Sequence, residues 1–228
     1  MPTAGRRFTR KELRQPDWFQ KATESALETY QKNRPLALLA IAALIAILLG
    51  FWGFQMFKES QDTKAAQHFA QAMNLYQGGK YKEAIVAFEK VQSYRWSSYA
   101  NFAHLYEANG YLELNDLDRA ANAAQRFVVG TKDNTLMRQM GLFTLGNIEE
   151  RRDRCKEAIQ HYAAAERITA ALRDIAVLGK ARCSEKIGNL PDAIAGYKEY
   201  LKGQPNSPVA ALQVAELESK LAGQTGAK

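Results

Sequence analysis

Apolar residues along this chain fall into two patterns. From Leu36 to Phe54 the sequence reads LALLAIAALIAILLGFWGF, nineteen residues without a charge or a strongly polar side chain. Past Lys58 the apolar positions thin out and return at three- and four-residue intervals, the spacing of helices that bury one face. The first pattern predicts a helix apolar on all sides, the second a series of amphipathic helices.

The amphipathic part repeats itself. The segments YKEAIVAF (81–88), LDRAANAA (117–124), CKEAIQHY (155–162) and PDAIAGY (191–197) align on Ala84, Ala120, Ala158 and Ala193, with steps of 36, 38 and 35 residues. Twelve residues before each register alanine stands a small residue, Ala72, Ala108, Gly146 or Ala181, as two closely crossing helices require. Four residues after it comes Phe88, Ala124, Tyr162 or Tyr197, one turn along the same face. Turn signals separate the two helices of each pair: Gly78-Gly79, Asn115-Asp116, Arg152-Asp153 and Gly188-Asn189. Between pairs, Gly130 and the run from Gly203 to Pro208 stop the chain. A final helix from Val209 to Leu221 is predicted to cap the open end. A period of this length is the signature of stacked helix pairs, each covering the apolar face of its neighbour.

The apolar run predicts a transmembrane helix over 35–57, because a hydrocarbon core of about 30 Å needs roughly 20 apolar residues in helical form. Phe51, Trp52, Phe54 and Phe57 gather at its far end, where aromatic rings suit the headgroup level. Residues 1–34 hold eight Lys/Arg against four acids, whereas Lys58, Glu59, Asp62 and Lys64 cancel just after the run, so the N-terminus is expected in the cytoplasm. The leader and the apolar run are both too long for a cleaved signal peptide, so a retained signal anchor is expected. The remainder then lies outside the cytoplasm, in the periplasm of a Gram-negative cell. Within the basic tail, Pro16-Asp17 starts a short amphipathic segment with Trp18, Ala22, Ala26 and Tyr30 on one side, suited to a membrane surface or simply to a loosely helical tail. The predicted organisation is therefore a basic tail over 1–34, a transmembrane helix over 35–57, helix-pair repeats over 58–222 and a flexible tail over 223–228.

The net charge of +7 raises the question of nucleic acid. More than half of that charge sits in the tail, and residues 58–228 interleave 23 basic with 20 acidic side chains, an ordinary solvated surface with no stripe for phosphates. No nucleic-acid partner is expected.

Leu145-Gly146, Tyr111, the register alanines, the aromatics Phe88, Tyr162 and Tyr197, and Pro205 resemble the tetratricopeptide repeat family over roughly residues 65–221. The family's first-helix Trp and the terminal Pro of most units are missing. The resemblance implies an all-α fold, a right-handed α-solenoid of about four helix pairs with a C-terminal capping helix, behind the single transmembrane helix. The layout of basic tail, single span and external repeats is similar to the YfgM-like ancillary subunits of the bacterial Sec translocon. That likeness implies a chaperone-linked role beside a membrane complex.

By the family's geometry, a concave surface is lined by the first helix of each pair. The positions that face it include Phe69, Met73, Tyr76, Phe102, Leu105, Asn109, Leu112, Met140, Phe143, Asn147, Arg151, Ile175, Leu178, Arg182 and Lys186, although several are expected to fill the interior instead. Rings that bury area, with Asn and Arg between them, suit an extended or helical peptide. In stacked pairs the late part of one first helix approaches the turn of the preceding pair, so Cys155 and Cys183 could form a disulfide or remain two buried thiols.

Candidate chemistry is otherwise sparse. His68 and His104 occupy equivalent points 36 residues apart, which argues for packing, and His161 stands alone in a second helix. The sequence has no clustered metal spacing, phosphate loop or nucleophile elbow, so no cofactor, metal, small-molecule substrate or catalysis is expected. The expected partners are other proteins and, through the apolar helix, the lipid bilayer. Three roles stay open: an adaptor or chaperone-like subunit handling clients at an envelope complex, an accessory subunit that stabilises a large, for example respiratory, membrane assembly, and a redox-active envelope protein using Cys155 and Cys183.

Overall fold

The computed structural model describes residues 23–24, 34–133, 135–168 and 171–226; the amphipathic segment expected in the basic tail lies outside them, apart from Thr23 and Glu24. The chain divides into two compact parts, Met1–Phe57 and Lys58–Lys228. Among the described residues every regular element is helical.

The first helix, α1 (Arg34–Gln77), contains the apolar run and continues through Gln77. In the first part its large side chains are bare: Leu36, Ile47 and Trp52 are each about two-thirds exposed. A stretch this apolar and this uncovered is long enough to cross a membrane.

In the second part, the end of α1 pairs with α2 (Tyr81–Gln92), and the pattern recurs as α3 (Ser98–Glu113) with α4 (Leu117–Val129), α5 (Leu136–Arg151) with α6 (Cys155–Glu166), and α7 (Arg173–Lys186) with α8 (Leu190–Gly203). A last helix, α9 (Pro208–Gly226), packs on α8 and extends five residues past the end predicted at Leu221, so residues 223–226 are helical where a flexible tail was expected. Each helix packs mainly on its sequence neighbours, and α5 also meets α7, the arrangement of an α-solenoid.

The turns within pairs share one geometry. Gly79, Asn115, Asp153 and Gly188 have φ of 72°, 57°, 62° and 78°, the left-handed conformation that closes a helix. In each, the following N–H reaches back five residues: Lys80 to Leu75 O (3.0 Å), Asp116 to Tyr111 O (2.9 Å), Arg154 to Glu149 O (2.9 Å) and Asn189 to Ser184 O (2.9 Å). Glycine adopts this conformation freely, and Asn and Asp are the side chains that tolerate it best. Second helices then begin on side-chain caps where one is available: Asp116 accepts from Arg119 N–H and Asn189 from Asp192 N–H.

Repetition sets the core. The register alanines 84, 120, 158 and 193 and the small residues 72, 108 and 181 have no exposed surface, and Gly146 is buried with them. Phe88 and Tyr162 are fully covered and Tyr197 nearly so. The interior divides into three clusters, centred on Phe88 and Val91, on Tyr162, Leu145 and Ile148, and on Tyr197 and Leu217.

Candidate protein-interaction surface

First helices come one per repeat, so residues at the same repeat position form ladders across α1, α3, α5 and α7. One ladder, immediately after the small buried residues, is Met73, Asn109, Asn147 and Arg182, and all four side chains are half-buried. The ladder one turn earlier is Phe69, Leu105, Phe143 and Leu178. Here the positions diverge. Phe69, Phe143 and Leu178 keep a partly open face, whereas Leu105 is only 3% exposed and belongs to the interior. The groove assignment of Leu105 is thus corrected: surrounding residues cover its side chain almost completely, so it offers no open face to a partner.

The aromatic positions are shared between surface and core. The Phe69 ring lies 5.5 Å from Phe88, 5.4 Å from Tyr99 and 5.4 Å from Tyr106. Tyr76 meets Tyr81 at 5.4 Å, Phe102 meets Phe127 at 6.1 Å and Phe143 meets Tyr162 at 5.7 Å. Each ring is therefore partly engaged in packing within its own repeat. Met140 is half-buried, and Arg151 is exposed with its Nη1 donating to Leu112 O at 3.1 Å. Leu112 itself is buried. Ile175 and Lys186 are exposed. Leu178 and Arg182, with Tyr197, Tyr200 and Leu217, line a cleft of about 680 Å³ between α7, α8 and α9.

Three acids tie the helices together beneath this surface, and none was singled out from the sequence. Glu107, 3% exposed on α3, accepts from Gln92 Nε2 (2.7 Å) and twice from Arg126 Nη2 (2.8 and 3.0 Å), linking α2, α3 and α4. Burial alone would push this carboxyl up; hydrogen bonds from His104, Gln92 and Arg126 outweigh it and hold it below the ordinary value. Glu150 on α5 accepts from Tyr162 Oη (2.8 Å) and from Arg182 Nε and Nη2 (3.1 and 2.9 Å), joining α5, α6 and α7. Its carboxyl is also lowered, because Arg182 and Tyr162 overcome desolvation. Glu185 on α7 accepts from Tyr197 Oη at 2.7 Å. Burial, then the bond to its acid, raises the phenol pKa of both Tyr162 and Tyr197.

These acid–tyrosine pairs did leave a trace in the sequence. Glu150 and Glu185 stand twelve residues before Tyr162 and Tyr197, the interval that separates the small residue from the register alanine. The same interval pairs Tyr76 with Phe88 and Leu112 with Ala124 in the first two repeats. The buried Gln139 left no such trace. Its Nε2 donates to Ala165 O (3.0 Å) and Ile168 O (2.7 Å) and its Oε1 accepts from Leu172 N (3.0 Å), so one side chain anchors the connection between α6 and α7.

The predicted cysteine pair is together in space: Cys155, the first residue of α6, and Cys183, late in α7, are buried free thiols with sulfurs 2.7 Å apart. Of the histidines, His68 stacks on Tyr94 at 5.7 Å and His104 joins the Glu107 cluster, so both pack as their equivalence suggested. Among the described residues no group of three or more His, Cys, Asp or Glu could hold a metal ion.

Solved structures with the same arrangement place the fold. The chain superposes on MamA with a TM-score of 0.60 at 17% identity, covering 68% of this chain and 81% of that one. It superposes on pilF of Pseudomonas aeruginosa with 0.61 at 19% identity, covering 72% of each. A third structure, YrrB, described as a TPR protein with an unusual peptide-binding site, gives 0.56 at 15% identity over 68% of this chain and 76% of that one. At these identities the likeness concerns the fold. No curated protein matches the sequence. The tetratricopeptide repeat-like domain model matches residues 28–218, most of the chain, and the protein belongs to that family.

Proposed function

We propose that this protein is a membrane-anchored adaptor that binds other proteins through the first-helix surface of its repeats. The tetratricopeptide fold is a protein-interaction scaffold. The observation that carries the reading is the ladder Met73, Asn109, Asn147 and Arg182, which recurs with the repeat and stays half-open beside the partly open rings of Phe69 and Phe143. Apolar faces supply contact area, and Asn amides can donate to and accept from an extended peptide backbone. The peptide-binding site named for YrrB supports the same use of such a fold.

The anchor is α1, whose uncovered apolar run is long enough to span a bilayer. The excess of positive charge before it supports a cytoplasmic N-terminus and a periplasmic repeat domain, as a signal-anchored inner-membrane protein. The similarity of this layout to YfgM-like subunits makes the Sec translocon the first membrane complex to test.

The test places a photocrosslinking residue at Asn109 or Asn147 on first helices, and at the exposed Gln125 or Gln160 on second helices, in intact cells. Strong, discrete adducts from the first-helix positions and weak ones from the second-helix positions support the proposal; equal labelling overturns it. Many client-sized adducts identify a client-handling adaptor, whereas a single stoichiometric adduct identifies an accessory subunit. Protease added to spheroplasts should digest the repeat domain, and full protection would refute the assigned topology.

A further inference from the structure

Cys155 and Cys183 are the chain's two cysteines, and they meet across the joint between the third and fourth repeats. Their sulfurs, 2.7 Å apart, need to approach by less than one ångström to reach the bonded separation of about 2.0 Å. The two differ in access. Cys183 is completely covered, while Cys155 is 4% exposed and directly follows the exposed turn residues Asp153 and Arg154. Burial, then contact with Cys155, raises the pKa of the Cys183 thiol, so it is a poor nucleophile until its neighbour is engaged.

We propose that this pair is an oxidative modification site, at which a disulfide-bearing oxidant converts the two thiols into a staple between α6 and α7. The outer thiol reacts first. Cys155 Sγ, as thiolate, attacks one sulfur of the oxidant's disulfide, breaking that bond and forming a mixed disulfide, and the released sulfur leaves as a thiol after taking up the proton. Cys183 Sγ then loses its proton, attacks Cys155 Sγ and expels the second sulfur as a thiol. Two S–H bonds of the protein are lost and one Sγ–Sγ bond is gained, while the oxidant's disulfide accepts two electrons and two protons.

The consequence is local. The covalent link closes the segment that contains all of α6, the connection held by Gln139 and most of α7. Arg182, adjacent to Cys183 and paired with Glu150, is the fourth member of the half-open ladder, so oxidation would hold that end of the surface in one arrangement. The thiol pair keeps this geometry whether or not the ladder binds proteins.

The experiment uses the full chain in mild detergent. Samples are treated with dithiothreitol or with oxidised glutathione, and a further sample is unfolded and refolded in a glutathione redox buffer. Each is then denatured without reductant, labelled with a maleimide and weighed. Two labels are expected after dithiothreitol, and none after either oxidising treatment, with the mass of the intact chain lower by two hydrogens. Loop-entropy reasoning for a segment of this length places the melting temperature of the oxidised form about 10 °C above that of the reduced form. A Cys183→Ser variant should accumulate one glutathione on Cys155, whereas Cys155→Ser should take up none while folded. Two maleimide labels after both oxidising treatments, linkage only between separate chains, or an unchanged melting temperature would overturn the staple. Glutathione on Cys183 in folded Cys155→Ser would overturn the order of attack.

Discussion

Replacing Gly146 by alanine sets helix propensity against packing. In the interior of α5 the exchange should stabilise by about 1 kcal/mol if propensity alone mattered. Packing acts in the other direction, and the structure shows by how much. A Cβ on Gly146 would lie 2.6 Å from Cε1, 2.7 Å from Cδ1 and 3.0 Å from Cγ of Tyr162. The ring has little room to retreat, because α7 also approaches it closely: the corresponding Cβ position of Gly179 is 2.6 Å from its Cζ. Its hydroxyl is held by Glu150 as well. With three ring atoms at or inside 3.0 Å, the cost belongs in the upper part of the 1–3 kcal/mol typical of overpacking, about 2–3 kcal/mol, so the net loss after propensity is about 1–2 kcal/mol. For a domain of this size that lowers the melting temperature by roughly 2–8 °C. Circular dichroism of the full chain in mild detergent, with heat or urea, measures it. The decisive comparison is the Tyr162→Ala background, itself destabilised by about 3–5 kcal/mol through the cavity it opens. There the added methyl should restore about 1 kcal/mol, giving a coupling of roughly 2–3 kcal/mol between the two positions. If Gly146→Ala were stabilising in both backgrounds, the slot between the two glycines would not constrain the ring and the packing argument would fail.

Two further outcomes follow from the buried polar groups. Gln139→Leu leaves the Ile168 carbonyl and the Leu172 amide without the Gln139 side chain and takes one of its donors from Ala165 O, and should cost about 2–4 kcal/mol; hydrogen exchange should accelerate first around Leu172, and unchanged protection there would refute the anchoring role. The carboxyls of Glu107 and Glu150 are held below their ordinary value of 4.5, so the stability they contribute is fully present above that pH and is lost as the pH falls through their lower folded-state values. Urea midpoints measured from pH 7 downwards should therefore hold to about pH 5 and then drop, and the drop should be smaller in Glu107→Gln; an identical profile for the variant would remove Glu107 from the account.

The register alanines and the left-handed turns within pairs show why so much of this fold was legible. A helix pair that stacks on copies of itself must place a small residue at every close crossing and a left-handed residue at every reversal, so the constraint recurs with the period and can be read by aligning the chain with itself. Gly79, Asn115, Asp153 and Gly188 keep the steps of the alanines, and each carries the positive φ that its turn signal implied. The last helix ran past its predicted end because residues 222–226 include no proline, and a weak boundary is decided by the residues already helical before it.

The candidate surface was legible only as a set of positions. That the first helices carry it followed from resemblance to a family, but how far each side chain is covered depends on neighbours distant in sequence. Leu105 and Phe143 hold the same repeat position, and one is buried while the other stays half-open. Glu107, Gln139 and Glu150 could not be distinguished from solvated polar residues until residues up to 33 positions away supplied their partners. The sequence by itself determined the helices, their period and the apolar run, because those obey local spacing and recurring contact. Tertiary structure alone decided which polar groups are buried and paired and which rings stay open, because burial is a property of the assembled neighbours and not of the residue.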